Sequence, residues 1–498
     1  MSTPSTAGTE AELPPETTPL PATDGGGWTP KTLSWLLMLV LSVEVASIIY
    51  AAPLVALPKL LVHYHTSQSA WITTTLTLVG AVWAPILGKY ADLYGKRRML
   101  VITLIITAAG SLLCTVAPTF GWLLAGRALQ GAVLAAPFLC ISLVRQTFPV
   151  KTIAVGVGVV ATGSGLLTAG MPYLMGWLVD GTGFRSVFWF PAVLSLAVAA
   201  CVRALIPESP VRAQGRVDFV GALLLGAALA AVLAAISLGE GWGWLSLKTT
   251  GLFLTGVAVL VLWVFQALRT REPLVDVRFL KQRPLVLTML IAGLAGGGGA
   301  CFFLMISIVA QTPSALGLGY GFGTDSLGIA RYLAPFSLGV LLGGIIGGQL
   351  TQRMDPARTL VVSQVITIIG AVASAATITS AAGVLVPIAV VGVGVGMAAG
   401  SAYNLIIELV PSTLQATIAG MASVMISVFS SAVPVVVIAI LNSSFATMMN
   451  GIPLYSLTGV RLSFLVPGII AAAGTITALA LVAAQRGQAA TTATHLPA

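Results

Sequence analysis

Three places in this sequence hold residues whose types and spacing suit chemistry in an apolar setting. Glu44 lies in Leu41-Ser-Val-Glu44-Val-Ala-Ser47, about midway along a long apolar run. A carboxyl group taken out of water gives up its charge readily. Glu44 can therefore load and release a proton, bind a polar group of a substrate, or serve as a structural hydrogen-bonding acid. Arg127 lies in Leu124-Ala-Gly-Arg127-Ala-Leu-Gln130-Gly131, again inside an apolar run. Its guanidinium stays charged, so it either faces a partner or a wet cavity, or sits shallow in a purely structural place. Third, Tyr403-Asn404-Leu-Ile-Ile-Glu408 sets Asn404 and Glu408 four residues apart on one helical face, with Pro411 ending the helix. Such a strip suits a cavity wall, with Glu408 as a further proton-coupling carboxylate, or a gate that closes against basic loops.

These residues need elements that hold them in lipid, and the composition supplies such elements. Of 498 residues, 57% are hydrophobic and 8% charged, against about a quarter charged in soluble domains. The chain is therefore expected to be an all-α polytopic membrane protein. Apolar runs recur near 33–60, 70–90, 99–117, 121–144, 152–178, 186–206, 218–238, 249–268, 284–311, 326–350, 358–378, 384–408, 416–440 and 461–484. That makes about fourteen spans, each of the length a bilayer requires. The net charge of +9 would suit a nucleic-acid partner until each cation is placed. Eighteen of the 24 Lys and Arg then fall on one side and four on the other, while Arg127 and Arg331 lie within spans. This asymmetry makes the basic side cytoplasmic, places both termini there, and excludes nucleic acid as the reason for the charge. Residues 1–30, rich in Thr, Pro and Ala, are expected to form a disordered tail. Cys114, Cys140, Cys201 and Cys301 lack paired spacing and read as small core residues, so neither a disulfide nor a metal site is expected.

Between the second and third runs stands Gly88-Lys-Tyr-Ala-Asp92-Leu-Tyr-Gly95-Lys96-Arg97-Arg98. Glycines there let helix ends approach and turn, Asp92 can face the positive end of a neighbouring helix, and the cations can hold Asp92 or lipid phosphate. The pattern resembles the loop between helices two and three of the major facilitator superfamily. The Arg127, Gln130, Gly131 set is similar to the superfamily's helix-four motif. That resemblance implies a transporter, and implies that Arg127 tunes a nearby proton-binding carboxylate.

A worn copy of the loop stands 260 residues later, where Gly348, Gln352, Asp355 and Arg358 answer Gly88, Asp92, Gly95 and Arg98. Members of the superfamily consist of two six-helix halves. The long offset leaves room for two extra spans, near 218–238 and 249–268, and points to the branch resembling fourteen-span drug:proton antiporters. Those proteins usually carry an Asp nine residues before an Ala-Leu-Pro in the first helix. Here Ala56-Leu57-Pro58 puts Ile49 at that position, so Glu44 is a displaced candidate. In the fifth run Gly170-Met171-Pro172-Tyr-Leu-Met175-Gly176 partly matches the antiporter motif of helix five, with Met171 and Met175 replacing glycines. Pro172 is expected to bend that helix.

The resulting expectation is a major facilitator fold with two six-helix bundles, 31–206 and 284–485. Two extra spans with their linkers fill 207–283, and 486–498 form a tail. The latch would comprise Gly88, Asp92, Gly95 and Arg98, holding the start of the thirteenth span. Tyr50, Met171, Met175, Phe302, Tyr403, Asn404 and Arg331 are candidates for the substrate cavity. Arg331 would lie about two turns beyond an Asp325-Ser326 cap, marking an outer vestibule or snorkelling outward. Gly296-Gly297-Gly298-Gly299 would form a hinge or unwound segment. Function is expected to be proton-coupled export of hydrophobic or amphipathic small molecules, the alternative being uptake of a polar or anionic solute. Expected partners are that substrate, protons and membrane lipids around a monomer in the cell membrane, with no cofactor and no enzymatic activity.

Overall fold

The computed structural model describes residues 27–65, 70–163, 171–209, 218–270, 273, 277–314, 317–324, 328–449 and 452–494. Residues 1–26 of the expected tail, Gly170 and the Asp325-Ser326 cap therefore lie outside the described residues, while α1 already begins at Pro30, the last residue assigned to that tail. The helices of the first half are α1 (Pro30–Val55), α2 (Leu57–His63), α3 (Ala70–Tyr94), α4 (Lys96–Val116), α5 (Phe120–Gln130), α6 (Ala136–Thr147), α7 (Val150–Thr162), α8 (Met171–Thr182) and α9 (Ser186–Leu205). A pair follows, α10 (Phe219–Trp242) and α11 (Leu247–Arg269). The second half holds α12 (Arg283–Gln311), α13 (Ala330–Arg353), α14 (Pro356–Thr377), α15 (Leu385–Leu409), α16 (Gln415–Ser443) and α17 (Leu457–Thr494).

Twelve helices among the described residues are long and apolar enough to cross a membrane. The expected count of fourteen is not reached by that measure. The 25-residue α3, which carries the charged Lys89 and Asp92, is not among the twelve, and the fifth run is described only as the shorter α7 and α8. The fold also departs from pure helix. A short antiparallel hairpin, β1 (Phe445–Met449) and β2 (Ile452–Tyr455), joins α16 to α17. The Tyr320 hydroxyl fastens it, donating to the Tyr455 carbonyl at 2.9 Å and accepting from the Tyr455 N–H at 3.2 Å.

Local chemistry fixes the helix ends. Thr119, Asp218, Ser246 and Asp355 cap α5, α10, α11 and α14 with side-chain oxygens, each satisfying a backbone N–H that has no partner within the helix. Between α5 and α6 the chain tightens into a 3-10 turn, Gly131–Ala135. Pro137 follows and has no N–H to offer the carbonyl one turn back.

Small residues set how closely the helices meet. A Cβ added at Gly339 or Gly343 would strike the backbone of α15, and one at Gly392 or Gly396 would strike the backbone of α13. Gly339 and Gly343 therefore pack against Gly392 and Gly396, as association in lipid by close contact requires. The run Gly296–Gly299 does not unwind, since α12 is continuous through it. Its neighbours give the reason. A Cβ at Gly297 would meet Val433 at 2.7 Å and the Phe429 carbonyl at 2.9 Å, and one at Gly299 would meet Val395 at 3.2 Å. The glycines admit α16 and α15 and do not form a hinge. Cys114, Cys140 and Cys301 are buried as expected, but Cys201 is exposed on α9.

Candidate functional site

The face carrying most of the cations, here the basic face, is where the two halves are joined. Asp92, at the end of α3, is fully buried. Its carboxylate accepts hydrogen bonds from the backbone N–H of Ala416 (3.3 Å) and Thr417 (2.9 Å) and from the Thr417 hydroxyl (2.8 Å). These donors form the first turn of α16, the positive end of that helix dipole. Lys96, one turn on from Asp92 and equally buried, brings its Nζ to 3.4 Å from Oδ1. Gly88 lies against the same turn, where a Cβ would meet the Ala416 carbonyl at 3.0 Å.

Arg98 does not join Asp92. Its side chain is exposed, and its backbone N–H donates to Glu208 Oε2 at 3.1 Å. Glu208 also accepts from the Arg97 N–H at 3.0 Å, and its carboxylate stands 3.6 Å from Arg97 Nε. Gly95 makes this junction possible. It has φ +108°, and a Cβ there would lie 2.8 Å from Glu208. Sequence reasoning left Lys96 unselected among the three cations that could hold Asp92, and missed Glu208 and Thr417. Lys96 sits at the i+4 position from Asp92, a signal that was available. Glu208 and Thr417 lie more than a hundred residues from the loop and carry no local signal.

The worn copy of the loop makes the mirrored contact with opposite polarity. Gln352 donates its amide to the Lys151 carbonyl, at the start of α7, at 2.7 Å. A Cβ at Gly348 would meet Ala154 and Val155, as one at Gly88 would meet Ala416 and Thr417. Further bonds cross between the halves nearby, from Gln146 to the Ser412 carbonyl (3.1 Å) and from Asn404 to the Ala154 carbonyl (3.2 Å). Just inside them Gly158 of α7 abuts Gly344 of α13 and Gly400 of α15. Gly158→Val should wedge this seam apart, overpacking that typically costs about 1–3 kcal/mol. We expect transport at equal membrane expression to fall at least tenfold; a wild-type rate would show that the seam is not needed for the cycle.

Deeper in the first half Arg127 is entirely buried. Its Nε donates to the Ile72 carbonyl and its Nη1 to the Ile49 carbonyl and to Gln130 Oε1, each at 2.8 Å. Gln130 in turn donates to the Ser111 hydroxyl at 2.7 Å. The charge is thus met by backbone and amide dipoles from α1, α3 and α5, and no carboxylate stands among its described partners. Ile49, at the position where the resembling antiporters carry Asp, supplies one of these carbonyls. Glu44 lies five residues earlier, 1% exposed, on an α1 segment whose neighbours Val43 and Val45 belong to the apolar core of the first half. Neither charge points at lipid.

The remaining candidates divide. Asn404 and Tyr403 are buried at the junction of the halves, where the Tyr403 hydroxyl meets Ser423 at 3.0 Å. Glu408 is exposed in the last turn of α15, within electrostatic reach of Arg145 on α6. Phe302 is fully buried, stacked on Phe336 at 5.6 Å and edge-on to Phe464 at 5.3 Å, so it packs the second half and lines no cavity in this conformation. Met171 and Met175 are buried in a cluster with Ile48 and Phe188. Whether Pro172 bends its helix turns on residues 164–170, which lie outside the described ones; Gly176 is half-buried on α8, and Tyr50 is half-exposed beside Arg127. Arg331 is exposed in the first turn of α13, not two turns deep, because that helix begins only at Ala330.

Two helical halves with matched loops, meeting at one face around buried charges, define a polytopic membrane carrier. The chain belongs to the Major Facilitator Superfamily, whose family model matches residues 37–434; it is a transporter and not an enzyme. A probable actinorhodin transporter of Streptomyces coelicolor is 30% identical over 412 residues, covering 79% of this chain and 70% of that relative. A uridine/deoxyuridine transporter of Lactococcus lactis is 28% identical, covering 72% of this chain and 75% of its own length. Multidrug resistance protein 3 of Bacillus subtilis is 25% identical, covering 60% and 58%. The crystal structure of the human organic anion transporter MFSD10 shares the fold, with a TM-score of 0.62 at 13% identity over 91% of this chain and all of that one.

Proposed function

We propose that the protein is a proton-coupled exporter of hydrophobic or amphipathic small molecules, working by alternating access. The observation that carries this reading is Glu44, an acid wholly removed from water inside the first half, in a carrier whose basic face is held shut around Asp92. Relatives named for multidrug resistance and for actinorhodin support the substrate class. In this reading α3 and the α7–α8 run both cross the bilayer, giving fourteen spans. The bundles are 31–206 and 284–485, with α10 and α11 as the extra pair, in a monomer. The basic face is cytoplasmic, with both termini on that side of the cell membrane.

A proton reaching Glu44 from the outside discharges it and favours the rearrangement that opens the basic face; substrate entering from the cytoplasm reverses this. Glu44→Gln holds the site in its discharged form. In proteoliposomes it should abolish gradient-driven transport while leaving downhill substrate exchange, and gradient-driven transport at the wild-type rate would overturn the assignment. A second reading, uptake of a polar solute, rests on the relative named for uridine and deoxyuridine. The sign of substrate flux under an imposed pH gradient separates the two.

A further inference from the structure

A groove of about 490 Å³ opens on the basic face between α4 and α9, lined by Arg97, Arg98, Arg203 and Glu208 and, deeper, by Val101, Ile102 and Ile105. We propose that it binds one anionic phospholipid, with the phosphate among the arginines and an acyl chain along the apolar wall.

The lining changes from charged to apolar along α4. Arg97 and Arg98 stand in the first turn of α4, where a spanning helix leaves the headgroup layer, and Val101, Ile102 and Ile105 follow over the next two turns. At 1.5 Å per residue the step from Arg97 to Ile105 is about 12 Å, the passage from headgroup level into hydrocarbon. Farther along the same two helices Leu112 and Val116 on α4, and Val193 and Leu196 on α9, are exposed and apolar, the chemistry an acyl chain needs beside it.

Charge then selects the headgroup. Three arginines face one carboxylate, and that carboxylate is engaged by the backbone N–H groups of Arg97 and Arg98 and by the Arg97 side chain. Arg97 also donates to the Ile206 carbonyl at 3.0 Å, which ties the two walls together. Arg98 and Arg203 are exposed, leaving two guanidinium groups for a phosphate. A zwitterionic lipid would bring its own cation against this surplus.

The test uses the full-length protein in detergent, titrated with dioleoyl phosphatidylglycerol and, separately, with dioleoyl phosphatidylcholine and with inorganic phosphate. Retained lipid is counted by native mass spectrometry, and affinity is read from thermal stabilisation. The variant is Arg98→Gln/Arg203→Gln. The control, Arg269→Gln/Arg353→Gln, removes the same charge from exposed positions elsewhere on the basic face. Phosphatidylglycerol should bind wild type and control about thirtyfold more tightly than the groove variant, at about 1 kcal/mol per arginine. Equal retention by all three proteins would overturn the proposal. So would equal binding of phosphatidylcholine, or stabilisation by inorganic phosphate alone as large as that by phosphatidylglycerol, which would indicate an anion site without a lipid.

Discussion

Asp92→Asn should have two separable effects. The first is on stability. Lys96 is buried against Asp92, its one ion-pair partner among the described residues, with Glu208 acting on it from farther away, and leaving one member of a buried ion pair uncompensated costs about 3–5 kcal/mol. Thermal unfolding should therefore occur at markedly lower temperature, and Lys96→Met added to Asp92→Asn should restore much of the loss by removing the stranded charge. The second effect is on conformation. The carboxylate holds the N-terminal turn of α16 through three donors, and in the proposed cycle this contact breaks when the basic face opens. A carboxylate at a partly buried helix N-terminus contributes up to about 2 kcal/mol, so its loss shifts the balance toward the open basic face roughly thirtyfold. Lys96→Met should not restore this term, since Lys96 and Asp92 belong to the same half. Transport should fall at least tenfold in both the single and the double variant. A double variant that regains wild-type transport would mean that Asp92 matters only as the counter-ion of Lys96.

Arg127 is expected to give the next largest effect. It donates to acceptors on three elements, the Ile49 and Ile72 carbonyls and Gln130. Hydrogen bonds from a charged group contribute about 1.5–3 kcal/mol each, and the orphaned buried carbonyls add their own penalty. Arg127→Met should lower the unfolding temperature strongly and abolish transport. Arg127→Lys should recover little of either, because an ammonium on a single stem cannot span the carbonyls of α1 and α3 together. Full activity in Arg127→Lys would show that only a positive charge is needed and that the fork geometry is not.

The sequence carried much of this and missed the rest for identifiable reasons. Apolar run lengths placed the helices, because a bilayer imposes one length on every span. The Asp92 contact with the thirteenth run followed from a short motif and the polarity of a helix end. The four-residue glycine spacing of α13 and α15 is plain in the sequence, but that these two helices meet along it is visible only in the structure. The i+4 spacing could have singled out Lys96 as the partner of Asp92, whereas the partner of Arg97 and Arg98 depends on where α9 ends and brings Glu208. Gly296–Gly299 looked like a weakness in α12 because propensity is read along one helix, whereas the structure uses those positions to admit Phe429 and Val433 of another. Phe302 and Met175 were set in a cavity by residue type alone, and their orientation puts them in packing.

The most direct test of the central claim, that the two halves rock about contacts at the basic face which Asp92 holds closed, is a distance measured across that face. Spin labels at Lys151 on α7 and Arg353 on α13, in a Cys201→Ser background, report it by double electron–electron resonance in liposomes. The sites flank the Gln352–Lys151 hydrogen bond of 2.7 Å and are exposed. A short distance should dominate in wild type, and a second, longer population should grow in Asp92→Asn. A single short distance in both proteins, with and without an imposed pH gradient, would contradict it.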